Sequence, residues 1–184
     1  MPAAPHNVAS LDGPNLRLRL VLPQDAGFIH ALRMDPAYNT HLSAVTGSAD
    51  DQRAWIERYK TREAEGLEYY YIVERRDRNE PCGVVRIYDI EADRFTWGSW
   101  ILGPNKTPKA ALESAVLIYR IGFEALGKAL SVFDVRNGNA TTLAFHQRFG
   151  ARQTGQDEIN TYFDYSAERF ARDRDGYLAL LGAV

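Results

Sequence analysis

The sequence predicts a single layered α/β (α+β) domain, in which a mixed, mostly antiparallel sheet of about six to seven strands is flanked by helices. Apolar residues alternate with a period of two in some segments and recur every three or four residues in others. In chain order these segments give a strand, two helices, three strands, a helix, a strand, a helix and a strand. Strands grouped ahead of a strand-helix-strand unit indicate a mixed sheet with helices on both faces.

The strand segments are short and are bounded by turn residues. The alternation in LRLRLVL (16–22) predicts the first strand, which Pro23 ends. Three segments separated by polar turns predict an antiparallel meander: EYYYIVER (68–75), CGVVRIYDI (82–90) and FTWGSWIL (95–102). The runs ALSVFDV (129–135) and TYFDYS (161–166) add the remaining strands.

The helical segments carry start and stop signals beside their apolar periodicity. They are QDAGFIHALRMD (24–35), DDQRAWIERYKTREAEG (50–66), PKAALESAVLIYRIGFEALG (108–127) and NGNATTLAFHQRFGA (137–151). The third is expected to end at Gly127, and the fourth to run from an Asn139 cap to Gly150. A terminal helix, AERFARDRDGYLALL (167–181), is expected to be interrupted at Gly176.

Length and composition limit the classes of function. The chain has 184 residues, is 45% hydrophobic and carries a net charge of -2, which suits one domain and gives no electrostatic signature of nucleic-acid binding. We expect a flexible leader over residues 1–15 and a single domain over 16–184. No apolar run is long enough for a membrane span, and no metal site is predicted. Cys82, the single cysteine, lies in an apolar stretch and is expected to be buried, as in a cytoplasmic protein.

The order of elements also predicts where a ligand binds. In mixed sheets, ligands bind where neighbouring strands diverge beyond their carboxyl ends, next to the N-terminus of a helix. Here that point is the junction from WGSWIL through GPNKTPK into the long helix.

From about Arg17 to Tyr165, the chain resembles the GNAT superfamily of acyl-CoA-dependent N-acyltransferases. The segment LRLRLVLPQDAGFIHALRMDPAY resembles the opening of the branch that contains ribosomal-protein alanine N-acetyltransferases and nucleotide-sugar N-acetyltransferases. The segment NATTLAFHQRFGA resembles a second motif of the family, which also begins with Asn and closes near Gly. The family slots of this motif fall on Asn139, Thr142, Phe145, His146, Arg148, Gly150 and Ala151.

This resemblance implies acetyl-CoA as co-substrate. The thioester is expected beside Ile101, Leu102 and Gly103, and the pantetheine arm beside Asn139, which is equally suited to be a helix cap. The phosphates are expected at the loop that enters the long helix, where Thr107 would cap the helix. The expected contacts in this loop are Lys106, Thr107, Lys109, Ala110 and Ala111. The alternative is an ordinary capped helix with two solvated lysines. The sequence departs from the family here, because the usual glycine slots fall on Pro108 or Lys109 and on Ala110 or Ala111.

The resemblance also suggests roles for His146 and for an acceptor pocket. His146 takes the slot of a tyrosine that protonates the departing thiolate, and an imidazole with its unperturbed pKa near 6.5 would be a competent acid. The alternative is a packed core histidine. The acceptor pocket is expected to use Tyr38, His41, Gln52 and Trp97 or Trp100. No general base stands out among Asp89, Glu91, Asp93 and Asp134, and a water relay is the alternative.

Together these features predict an acetyl-CoA-dependent N-acetyltransferase of a small amine. An amino sugar nucleotide is favoured slightly over a protein N-terminus. The expected partners are acetyl-CoA and the amine, with no nucleic acid and no membrane, and a homodimer is left open. The rival interpretation is a non-catalytic acyl-CoA sensor or interaction module with the same fold.

Overall fold

The computed structural model describes residues 8–40 and 47–182 and confirms the predicted layered α/β fold. The strands are β1 Ser10–Asp12, β2 Leu16–Leu20, β3 Tyr69–Arg75, β4 Glu80–Tyr88, β5 Arg94–Leu102, β6 Leu130–Arg136, β7 Arg152–Gln156 and β8 Asn160–Ser166. The α-helices are α1 Ala26–Met34, α2 Ala49–Ala64, α3 Ala110–Tyr119, α4 Ala140–Phe149 and α5 Ala167–Gly182. The strands form one sheet in the order β1-β2-β3-β4-β5-β6-β8-β7. Among the strands of the described residues, only β5 and β6 pair in parallel, so the sheet is mixed and mostly antiparallel as predicted.

Two of the eight strands lack the sequence pattern of a strand. β1 lies inside the predicted leader, which is therefore too long: Val8 and Leu11 are buried, and β1 pairs with β2. β7 has the sequence RQTGQ and is largely exposed. Because β7 pairs only with β8 at the sheet edge, no alternating apolar face is needed there.

Two apolar cores lie on opposite faces of the sheet. The larger core joins α3, α4 and α5 to inward residues of β2 to β6 and β8, and includes Phe95, Trp97 and Phe133. The smaller core lies under α1 and α2 and includes Ile29, Ile56 and Ile101. Cys82 is fully buried in the larger core as predicted, and its burial raises the pKa of the thiol to about 11.

The long predicted helix differs from a simple α-helix. It continues beyond α3 as a π-helical segment over Arg120–Ala125 and ends before Gly127, which has a φ of 68°. A methyl group at Gly122 would lie 2.1 Å from the ring of Phe95, so the helix approaches β5 closely only because this residue has no side chain. The predicted break at Gly176 is wrong, since α5 is continuous through that residue.

A buried carboxylate ties α3 to the β1–β2 turn. Glu113 is fully buried and accepts hydrogen bonds from the backbone N–H groups of Asn15 at 2.9 Å and Leu16 at 2.5 Å. Its other oxygen accepts from the side-chain amide of Asn15 at 2.9 Å. These bonds satisfy a charge that would otherwise be costly to bury, and they fix the beginning of the sheet against α3.

The sheet opens between β5 and β6. These strands pair only at Arg94 with Leu130 and at Phe95 with Ser131, at the start of each strand. Farther along, β5 carries a bulge against β4, where Ser99 has a left-handed φ of 48°. A bulge bends its strand and increases the local twist. The result is an opening toward the carboxyl ends of β5 and β6, beside the beginning of α3 and of α4.

Candidate active site

Two neighbouring cavities occupy this opening. The helix cleft, with a volume of about 480 Å³, lies beside Ile101, Leu102, Ala111 and Phe145. The gap cleft, of about 270 Å³, lies between the diverging strands and is lined by Trp97 of β5, Asp134 of β6 and His146 of α4, among others. Trp100, Asn139 and Thr142 line both. The site predicted from the order of elements therefore coincides with two cavities that share lining residues.

The end of β5 presents a backbone donor to this opening. The N–H of Gly103 donates to the carbonyl of Cys82 at 2.7 Å, on the β4 side. Because successive backbone amides of a strand point to opposite edges, the N–H of Leu102 faces the open edge. Ile101 and Leu102, which are expected beside the thioester, line the helix cleft. Gly103 does not line it, and its N–H is already used inside the sheet, so this N–H is not available to a thioester.

The first turn of α3 supplies further donors. The helix begins after Lys109, whose φ is 59°, so Thr107 does not cap it, and the Thr107 hydroxyl is buried without a partner among the described residues. Ala110 also departs from the prediction, because its N–H donates to the carbonyl of Thr107 and its side chain is buried in the core. Ala111 lines the helix cleft, and amides in a first helical turn have no partner within the helix. This is an anion-binding geometry.

The positive charges near this turn differ from those predicted. The Lys109 ammonium donates to the carbonyl of Leu180 at 2.7 Å and so caps the end of α5. Lys106 lines neither cleft, although its N–H closes the turn on Gly103. Arg148, on α4, lines the helix cleft with an exposed side chain. It occupies a family slot in the sequence, and the structure adds that it lies along this cleft.

Asn139 serves the α4 terminus and both cavities. Its side-chain oxygen accepts from the N–H of Thr142 at 3.4 Å, which makes it the N-cap of α4 as predicted. Gly150 ends the same helix in a left-handed conformation, with a φ of 107°. Because Asn139 also lines both clefts, its unused amide N–H₂ group is placed to contact a ligand there.

His146 is held among aromatic rings at the inner wall of the gap cleft. Its ring centroid lies 4.4 Å from that of Phe133 and 5.4 Å from that of Trp97. The residue is only 4% exposed, and Nδ1 is buried without a hydrogen-bond partner among the described residues. The inward position inferred from helical spacing is therefore confirmed.

The protonation state of His146 differs from the expectation. Burial lowers the pKa of the imidazole to about 3, because the charged form is poorly solvated among apolar rings. The side chain is therefore neutral near pH 7, and the free-histidine value of 6.5 does not apply. Its proposed role as an imidazolium acid loses its electrostatic basis, whereas a neutral imidazole can still donate a hydrogen bond.

The predicted acceptor residues are separated in the structure. Trp97 lines the gap cleft, but Tyr38 lines the helix cleft instead. Gln52 lies in the first turn of α2 and lines neither cleft. His41 lies outside the described residues. The gap cleft also contains Tyr88, Arg33 and Arg136. The sequence does not single them out, because each lies in an otherwise ordinary strand or helix pattern.

The four carboxylates considered as a general base lie in different parts of the structure. Glu91 and Asp93 are exposed at the turn between β4 and β5, where Asp93 pairs with Arg94 at 3.0 Å. Asp89 and Asp134 line a further cavity on the sheet face away from α3, and only Asp134 also lines the gap cleft. Over residues 8–40 and 47–182, no group of three or more His, Cys, Asp or Glu side chains is arranged to hold a metal ion. Within those same ranges, every helix is too short or too polar to cross a membrane.

Comparison with known proteins agrees with this geometry. Residues 15–152 match the Acetyltransferase (GNAT) domain family. The structure of apo FdhC, described as a nucleotide-linked sugar GNAT, is 40% identical, with a TM-score of 0.87 over 94% of this chain and 98% of that one. A GCN5-related N-acetyltransferase from Brucella melitensis shares the fold, with a TM-score of 0.74 over 96% of this chain and 86% of that one, at 18% identity.

A curated relative extends the comparison to a second organism. The SPbeta prophage-derived uncharacterized N-acetyltransferase YokL of Bacillus subtilis (strain 168) is 24% identical over 146 residues, which are 78% of this chain and 80% of the relative. The family match spans the opened strands, the start of α3 and all of α4. The chain therefore belongs to the GNAT family and is an acetyl-CoA-dependent acetyltransferase.

Proposed function

We propose that the protein transfers the acetyl group of acetyl-CoA to the primary amine of a nucleotide-linked amino sugar. The observation that carries this proposal is the 40% identity to a nucleotide-linked sugar GNAT over 94% of the chain. The similarity to two ribosomal-protein acetyltransferases is much lower, at 12% and 16% identity, and supports only a common fold.

The coenzyme is assigned to the helix cleft. The pyrophosphate lies at the first turn of α3, with Arg148 as the nearest lining cation, because free amides and a guanidinium both favour phosphate oxygens. The amide of Asn139 contacts the pantetheine arm, and the N–H of Leu102 polarises the thioester carbonyl. His146 then meets the acyl end of the arm as a neutral, packed imidazole.

The charges of the gap cleft suit a nucleotide-linked acceptor. Asp134 and Arg136 are both exposed and alternate with buried Phe133 and Val135 along β6, so they project from the same face. Residues two apart on a strand are separated by about 7 Å, so a carboxylate and a guanidinium stand about one sugar ring apart. The carboxylate attracts the amine, and Arg136 and Arg33 attract the diphosphate.

The test is a panel of amines assayed by coenzyme release: nucleotide-linked amino sugars, the corresponding free amino sugars, peptides beginning with Ala or Ser, and polyamines. We expect kcat/KM for a nucleotide-linked amino sugar to exceed that of the free amino sugar at least ~10-fold, since charged hydrogen bonds to phosphate are worth about 1.5–3 kcal/mol. Arg136→Gln should remove most of this preference and leave kcat/KM for the free amino sugar nearly unchanged.

Two outcomes would contradict the proposal. Faster turnover of a peptide or polyamine would move the acceptor to another class. Acetyl-CoA binding by calorimetry without coenzyme release across the whole panel would favour the sensor interpretation instead.

A further inference from the structure

The position of Asp134 in the gap follows from the strand register. The last paired residues of β5 and β6 are Phe95 and Ser131. Three residues farther along each strand, Gly98 of β5 and Asp134 of β6 stand on opposite sides of the gap. Both line the gap cleft. The carboxylate therefore lies where the strands have separated and faces a residue that has no side chain.

A tyrosine from β4 fills part of the space above Gly98. A methyl group on Gly98 would lie 3.0 Å from Oη of Tyr88, so the phenol reaches over this position from the neighbouring strand. Tyr88 lines the gap cleft and the cavity on the far face, as Asp134 does. Burial first, and then the negative charge of Asp134, raises the pKa of the Tyr88 hydroxyl. The hydroxyl therefore stays protonated near pH 7.

The lining of the gap cleft comes from both faces of the sheet. Phe133 and Val135 are buried on the face toward α3, whereas Asp134 is exposed on the opposite face. Because side chains from both faces of the sheet line this cleft, the cleft passes between the strands. The two substrates can therefore meet in it from opposite sides. His146 stands on the α3 side and Tyr88 with Asp134 on the other.

Asp134 differs from the nearest carboxylates of this face. Asp164 of β8 pairs with Arg152 at 2.6 Å, and Asp89 lines only the far cavity. Within the described ranges, the side-chain carboxylate of Asp134 takes part in no salt bridge and accepts no hydrogen bond. An unpaired carboxylate beside a protonated hydroxyl, at the mouth of a cleft, is suited to an amine.

We propose that Asp134 is the catalytic residue that accepts the proton of the acceptor amine, and that the Tyr88 hydroxyl orients this amine toward the thioester. The proposal rests on the acetyltransferase activity of the family and not on the class of the acceptor.

The amine lone pair attacks the thioester carbonyl, and the new N–C bond makes the nitrogen acidic enough to transfer its proton to a carboxylate oxygen of Asp134. The C–S bond breaks, its electron pair leaves with sulfur, and the thiolate takes one proton from water. Asp134 returns its proton to solvent, so an amine and a thioester give an amide and a free thiol.

The experiment compares Asp134→Asn, Asp134→Glu and Tyr88→Phe, with Asp164→Asn as the control that removes the same charge one strand away. The acceptor is the amine with the highest turnover in the panel, of whatever class, so that an error in the proposed acceptor leaves the test intact. We expect Asp134→Asn to lower kcat about 100-fold, in the range of general acid–base catalysis, and Asp134→Glu to recover part of the loss. Tyr88→Phe should raise the KM for the amine more than it lowers kcat.

Acetyl-CoA affinity, measured by calorimetry, should stay within about twofold of the wild type in all four variants, which shows that the coenzyme site is intact. The proposal is overturned if Asp134→Asn keeps more than half of the wild-type kcat. It is also overturned if Asp164→Asn loses as much rate as Asp134→Asn, because the loss would then reflect the overall charge of this face.

Discussion

At the scale of single residues, His146 shows how burial changes chemistry that the sequence alone suggests. Helical spacing correctly places it inward, but spacing contains no information on the rings around it. Phe133 comes from β6, the strand before α4, whereas Trp97 and Trp100 come from β5, which is distant in the sequence. Their combined desolvation holds the imidazole neutral. The tyrosine slot of the family is therefore filled here by a side chain of different acidity.

This burial predicts a pH dependence of stability. The pKa of His146 is about 3 in the folded state and near 6.5 when unfolded. Between these values the unfolded chain binds more protons, so stability is fully present above about pH 6.5 and declines as the pH falls toward 3, by at most about 1.4 kcal/mol per pH unit. His146→Gln should show a smaller decline from pH 7 to pH 5 in urea unfolding.

His30→Gln, at a half-buried position on α1, is the control for loss of a histidine. Parallel declines for the wild type and His146→Gln would contradict the neutral, buried imidazole. A neutral His146 also has a consequence for the rate. The kcat–pH profiles of the wild type and His146→Gln should have the same shape near pH 6.5, because His146 does not ionise there.

At the scale of elements, the packing of α3, α4 and α5 determines which basic side chains lie along the helix cleft. Lys109 looks like a phosphate ligand because it precedes a helix. In the fold, the carboxyl end of α5 lies against this position, and Lys109 donates to Leu180. Arg148, which sequence patterning presents as an exposed helix residue, lies along the helix cleft. The sequence alone does not predict these positions, because they depend on contacts between helices that are distant in the sequence.

We therefore expect Arg148→Gln to weaken CoA about tenfold and a phosphate-free pantetheine analogue little, since one charged hydrogen bond to phosphate is worth about 1.5–3 kcal/mol. Lys109→Ala should lower thermal stability and change CoA affinity less. Calorimetry with both ligands at two salt concentrations measures the effect, and Arg148→Gln should reduce the salt dependence of CoA binding. If Lys109→Ala weakens CoA more than Arg148→Gln does, the phosphate contact is Lys109 instead of Arg148.

At the scale of the whole molecule, the sequence predicts the parts that local patterning controls. The meander β3–β5 and the capped helix α4 follow from periodicity and capping residues. β1 and β7 do not, because a short strand and a polar edge strand carry no alternating apolar face. The gap between β5 and β6, with Tyr88, Asp134 and Arg136 around it, arises from pairing that stops after two residues on each strand. No local pattern encodes that stop.

The opened sheet makes a final prediction about the response to acetyl-CoA. The coenzyme binds the folded chain and not the unfolded one. At a coenzyme concentration of 100 times the Kd, the free energy of unfolding should therefore rise by about 2.7 kcal/mol. This corresponds to a rise in Tm of roughly 5–10 °C for a domain of this size. Hydrogen exchange should slow where the coenzyme covers backbone amides that have no partner in the sheet or helix. These amides are at Leu102, in the first turn of α3 and in β6 beyond Ser131. The β1–β2 edge, which lies at the other side of the sheet, is the internal control and should change only as far as global stability rises. Slowed exchange confined to α1 and α2, with the Leu102 amide unchanged, would place the coenzyme on the opposite face and overturn the assignment of the helix cleft.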